Sequence, residues 1–122
     1  MKGKLPKTLL KNYFVNGGFH DFLISSIHIQ NDKPNKITAE ILLDGDYSGL
    51  LKAQNKFLLI YRNVDNYRIY VPEDKRWFFG NMQWLTSEFY LREDGLWSHR
   101  IMCDGNCEIR LGFKTISIKK VV

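Results

Sequence analysis

Cys103, Cys107 and His99 come nearest to a chemical motif in this 122-residue chain. Three residues separate the cysteines, and His99 lies four positions before the first of them. Structural zinc needs a closed set of four ligands, usually built on tight cysteine knuckles. The other histidines, His20 and His28, lie far upstream. The spacing leaves three readings: two reduced thiols beside a hairpin tip, a cross-strand disulfide, or part of a metal site. A reducing compartment would not sustain the disulfide, so reduced thiols are expected and no metal ligands are assigned. For acid–base chemistry the best pair is Glu88 with His99, which neighbouring antiparallel strands would carry. A hydrolase or nuclease needs a nucleophile, a base and an anion stabiliser converging in a cleft, and no spacing here announces that set. P-loop, dinucleotide-binding, nucleophile-elbow and His-Glu-x-x-His patterns are all missing from the sequence. No catalytic residue and no cofactor is assigned, and the chain is expected not to be an enzyme. Glu88, on one strand face between Trp84 and Tyr90, is expected to pair with Arg92 or Arg100.

These residues must be held by the stretch Met82 to Ile118. It contains three β-like runs separated by Glu93-Asp94-Gly95 and by Cys103-Asp104-Gly105-Asn106-Cys107. Asp-Gly between alternating apolar runs is a strong hairpin signal, because glycine accepts positive φ without a Cβ clash. A three-stranded antiparallel meander is therefore expected. In its last strand Ile109, Leu111 and Phe113 alternate inward while Ile116 and Ile118 continue out of phase. An extra residue near Lys114-Thr115 would account for this as a β-bulge.

Upstream, residues 7–14 place Leu9, Leu10, Tyr13 and Phe14 at helical spacing after Pro6, and Asn16-Gly17-Gly18 ends that segment. Residues 19–30 read as a strand with Phe22, Ile24, Ser26 and His28 on one face and Leu23, Ser25, Ile27 and Ile29 on the other. A turn over residues 31–35 leads to a strand from Lys36 to Leu43, with Ile37, Ala39, Ile41 and Leu43 inward. Further strands follow at Lys56–Arg62 and Tyr67–Val71, and Lys75–Asn81 is a connection or a short extra strand. The expectation is a single domain over residues 1–122, with a short helix and loop in 1–18 and a β domain in 19–118. The β domain would be a mainly β, antiparallel sandwich or open barrel of about seven strands.

The formal charge is +5, but it is concentrated at the ends. Lys2, Lys4, Lys7 and Lys11 precede any acid, and Arg110, Lys114, Lys119 and Lys120 follow the last one. Without those eight, ten basic residues face thirteen acidic ones. No apolar run approaches the roughly 18 residues of a membrane-spanning helix, and Lys11-Asn12 interrupts the basic N-terminus before any signal-peptide core. A cytoplasmic protein with no membrane partner is expected. Aromatic and basic residues interleave at Tyr61-Arg62, Tyr67-Arg68-Ile69-Tyr70 and Lys75-Arg76-Trp77-Phe78-Phe79. Such residues on a sheet face can stack bases and neutralise phosphates, which keeps a single-stranded nucleic-acid module as an alternative. They are equally the residue types enriched at protein interfaces.

Four strand patterns carry a family resemblance. They are the run from His20-Asp21 through Ile29, the strand Ile37 to Leu43, the strand Phe57 to Val64, and the Trp-Leu-x-x-Glu run Trp84 to Glu88 before the C-terminal hairpin. In this order the chain resembles the small β-rich immunity proteins of bacterial polymorphic-toxin and contact-dependent inhibition systems. The resemblance spans about residues 19–118. It implies a non-enzymatic protein that binds a cognate protein toxin and blocks it by occlusion. Acidic loops (Asp44, Asp46; Glu73, Asp74; Glu93, Asp94) would steer a basic toxin, and Arg76, Trp77 and Phe78 would anchor it. The alternatives are the nucleic-acid module and a small hydrolase or nuclease built on Glu88 and His99.

Overall fold

The computed structural model describes residue 19 and residues 22–33, 36–45, 56–71 and 82–121. Among the described residues eight strands follow one another: β1 (Leu23–Lys33), β2 (Lys36–Asp44), β3 (Lys56–Arg62), β4 (Asn66–Tyr70), β5 (Met82–Leu91), β6 (Trp97–Cys103), β7 (Glu108–Phe113) and β8 (Thr115–Val121). They form one antiparallel sheet in the order β4-β7-β6-β5-β1-β2-β3-β8. The pairing thus describes one sheet, not the two of a sandwich. The only helical element among the described residues is a 3-10 turn at Asp104–Asn106. The expected N-terminal helix and the Lys75–Asn81 segment lie outside the described residues.

Alternation of apolar and polar residues decides which face each strand buries. Ala39, Ile41 and Leu43 of β2 are fully buried, and Leu59 and Tyr61 of β3 pair beside them. In β1 the expected alternation breaks. A bulge between Ile24 and Ser26 inserts Ser25, so Ile24, Ile27 and Ile29 stand opposite Leu43, Ile41 and Ala39 and share the inner face. A β-bulge adds one residue to one strand and so reverses the facing of everything beyond it. The same device appears in β5, where the register shifts between Trp84 and Thr86 and leaves Leu85 exposed. The turn expected over residues 31–35 is shorter, because the β1–β2 ladder continues to Lys33 opposite Lys36.

The phase change near Lys114 is larger than a bulge: it divides the expected last strand in two, which makes eight strands among the described residues where about seven are expected. β7 pairs with β6 and β4, whereas β8 pairs with β3. Lys114 is the corner at which one continuous chain passes between partners. Its N–H donates to the Arg62 carbonyl at 3.1 Å, and Asp65 N–H donates to the Gly112 carbonyl at 2.9 Å. The β3–β8 ladder therefore runs on into the β4–β7 ladder around a double bend. Phe113 before the corner and Ile116 after it both reach the core.

The sheet is strongly curled. In a flat sheet β3 and β6, four steps apart, would be separated by roughly 19 Å at about 4.8 Å per strand. Instead the Tyr61 hydroxyl of β3 and His99 Nδ1 of β6 share a hydrogen bond of 2.8 Å. The inner face encloses one core, containing Ile24, Ile41, Leu59, Trp84, Ile101, Ile109, Leu111 and Phe113. Aromatic rings fill one end, where Phe19 meets Phe22, Phe57 and Trp84 at centroid distances of 5.2, 5.4 and 5.5 Å.

Candidate functional site

Register separates the residues that spacing had brought together. β5 and β6 pair with Glu88 opposite Arg100 and Phe89 opposite His99. Adjacent positions on a strand face opposite sides of a sheet, so Glu88 points outward and His99 inward. His99 is completely buried. Its ring stacks on Phe89 at 3.9 Å with the planes 13° apart, and its Nδ1 is held by Tyr61. Burial disfavours the imidazolium, and the His99 pKa falls from 6.5 to about 3. The same desolvation pushes the Tyr61 hydroxyl well above its ordinary range. The pair is thus a neutral polar link across the core. A Glu88/His99 catalytic site, the expectation behind the hydrolase alternative, is not assembled.

Cys103 and Cys107 close the 3-10 turn, with the Cys103 N–H donating to the Cys107 carbonyl at 2.9 Å. Both are buried thiols and no disulfide joins them. Burial, with smaller contributions from Cys107 and Asp104, pushes the Cys103 thiol up to about 12. Among the described residues no group of three or more His, Cys, Asp or Glu side chains could hold a metal ion.

Chemistry instead collects on the outer face of β4, β7, β6 and β5. The ladders align Arg68, Arg110, Arg100 and Glu88 in one row across the four strands. The next row is Tyr70, Glu108, Met102 and Thr86. Glu108 accepts from Arg100 Nε and, at 2.8 Å, from Arg110 Nε. Desolvation alone would raise the Glu108 carboxyl, but the hydrogen bonds and charges of the two guanidinium groups outweigh it and hold it below the ordinary range. Arg100 also approaches Glu88 at 3.9 Å, which fulfils one of the two pairings expected for Glu88. Glu88 accepts from the Tyr90 hydroxyl, and this bond raises the Tyr90 pKa. Beside these rows lies an open concavity of about 570 Å³, with Tyr70, Leu85, Met102, Arg100, Glu108 and Arg110 among its lining residues. Tyr70, Leu85 and Tyr90 are exposed. At the end of the face Arg92 is clamped by Asp65 at 2.8 Å and Asp94 at 2.6 Å.

Of the residues expected to meet a partner, Asp44 ends β2 opposite Leu23 and Lys56 and is partly buried. Asp46, Glu73, Asp74, Arg76, Trp77 and Phe78 lie outside the described residues. Glu93 and Asp94 form the exposed β5–β6 turn, and Asp94 accepts from the Leu96 N–H at 3.1 Å as well as binding Arg92. The arginine row has no signature in the sequence. Alternation places Arg68, Glu108 and Arg110 on outer faces, but their alignment depends on register. No protein-family model matches the chain, and no curated protein matches it.

Proposed function

We propose that this chain is a non-enzymatic binding protein of the immunity type, which holds a cognate protein toxin in the cytoplasm and blocks it by covering its working surface. The observation that carries this reading is the outer face of β4–β7–β6–β5. There Tyr70, Leu85 and Tyr90 are exposed beside Arg100 and Arg110, both held by Glu108, with Glu88 close to Arg100. Tyrosine and arginine held rigid beside a shallow concavity are the chemistry of interface hot spots, since little side-chain freedom remains to be lost on binding. The separation of Glu88 from His99 weighs in the same direction, because it leaves the best acid–base candidates on opposite faces. We read the curled sheet as an open barrel, which gives such a face a stiff backing. The loop residues Asp44, Asp46, Glu73, Asp74, Arg76, Trp77 and Phe78 keep their proposed role as steering charges and anchor at the rim.

The test is co-expression with the product of the adjacent gene. The expected result is a complex that survives gel filtration and an inhibited toxin. A gene with no toxin-like neighbour, or a neighbour whose product does not bind, counts against the reading.

A second reading, a single-stranded nucleic-acid module, is favoured by the aligned Arg68, Arg110 and Arg100 beside Tyr70. Against it, Glu108 and Glu88 already compensate two of those arginines. Phosphate-led binding is salt-sensitive. A labelled oligonucleotide that shows no shift at about 50 mM salt removes this reading.

A further inference from the structure

The sheet ends in two strands, β4 and β8, each with one edge unpaired among the described residues. β8 carries exposed Lys119 and Lys120, the kind of charge that discourages edge pairing. β4, Asn-Tyr-Arg-Ile-Tyr, has neither lysine nor proline, and all five of its residues are exposed. Tyr67 and Ile69 stand opposite the buried Leu111 and Ile109, on the core side of the sheet, yet they are 51% and 38% exposed. A further strand would continue that apolar strip. On the outer side Arg68 directly faces Arg110, and like charges at opposed positions repel. Arg100 and Arg110 are compensated by Glu108, and Arg92 by Asp65 and Asp94. Among the described residues no carboxylate forms an ion pair with Arg68.

We infer that β4 is a docking edge that takes an extended acidic segment of the protein partner as an added strand. Backbone hydrogen bonds continue the ladder, the segment's apolar side chains lie beside Tyr67 and Ile69, and an alternate carboxylate meets Arg68. Strand addition of this kind draws affinity from the main chain and specificity from every second side chain. A second copy of this chain suits the edge less well. Pairing β4 with its own duplicate adds another Arg68 to the arginine row and supplies no carboxylate. The inference rests on the reading that the chain acts by binding a protein.

The probe is a fluorescent peptide of alternating valine and glutamate, followed by anisotropy with the full chain. Two control peptides carry lysine in place of glutamate, or N-methyl groups on alternate backbone amides. Saturable binding of the glutamate peptide alone is expected. Arg68→Glu should weaken it at least about tenfold, Arg68→Lys should retain most of it, and Ile69→Lys should also lose it. Circular dichroism of each variant should be unchanged, since both positions are exposed. Equal binding of the lysine peptide, indifference to Arg68→Glu, or no saturation at about 1 mM peptide would overturn the inference. Self-association blocked by Ile69→Lys would overturn it too, by assigning the edge to a second copy. Full affinity of the Arg68→Glu chain for the neighbouring gene's product would remove the edge while leaving the binding function intact. Absence of any complex with the unaltered chain would instead strike the functional reading.

Discussion

Burial fixes the protonation state of His99, and that state has a measurable cost in acid. The imidazole is stacked on Phe89, bonded to Tyr61 and shielded from water, with its pKa lowered from 6.5 to about 3. Between those values the unfolded chain binds a proton that the folded chain refuses. Stability from this residue is therefore complete above pH 6.5 and declines as the pH falls, by up to about 1.4 kcal/mol per pH unit. Urea unfolding at pH 5 should show about 2 kcal/mol less stability than at pH 7 from this group. His99→Phe should flatten that slope, and an equal slope in the variant would show that other groups are responsible. Cys103 makes a second prediction at this scale. A thiol pushed up to about 12 by burial has almost no thiolate at neutral pH. An aromatic disulfide reagent should label it far more slowly in the native protein than in denaturant, and fast native labelling would refute the buried-thiol description.

At the scale of elements, turn chemistry and alternation were legible in the sequence, whereas register was not. The alternation of Ala39, Ile41 and Leu43 identifies the inner face of β2 directly, and the Glu93-Asp94-Gly95 turn stands between β5 and β6 as its residues require. Gly95 has φ +85° with nothing within 4 Å of where a Cβ would sit, so its role is conformational. Gly95→Ala should cost about 1 kcal/mol in thermal or urea unfolding through backbone strain alone, and no loss would show that the turn relaxes. The out-of-phase isoleucines Ile116 and Ile118 correctly marked a break near Lys114. Its true cause, a change of partner from β6 and β4 to β3, is long-range and leaves no local signature. The bulges at Ser25 and Leu85 are likewise not legible locally, because one inserted residue in an apolar strand resembles ordinary alternation. Glu88 and His99 were misplaced for the same reason. A shift of one residue in register exchanges the two faces of a strand, so a pair on neighbouring strands is decided only when the ladder is known.

For the molecule as a whole, the formal charge of +5 is a poor guide to the charge on the outer face of β4–β7–β6–β5. Lys114, Lys119 and Lys120 lie at the corner and along β8, while the arginines of the opposite end of the sheet are largely locked to Glu108, Asp65 and Asp94. Exposed on that face are Tyr70, Leu85, Tyr90 and Arg68, together with Arg110 and Glu88, whose charges are paired; under the proposed function this face holds a protein. Binding by occlusion consumes one chain per toxin, whereas enzymatic protection turns over. The most direct measurement of the proposed function is a titration of the neighbouring gene's product, provided it is a toxin that binds this chain, at concentrations well above the dissociation constant, with this purified chain. Toxin activity should fall linearly and vanish at equimolar chain. Full protection at a small fraction of one equivalent, or none at any ratio, would contradict the account.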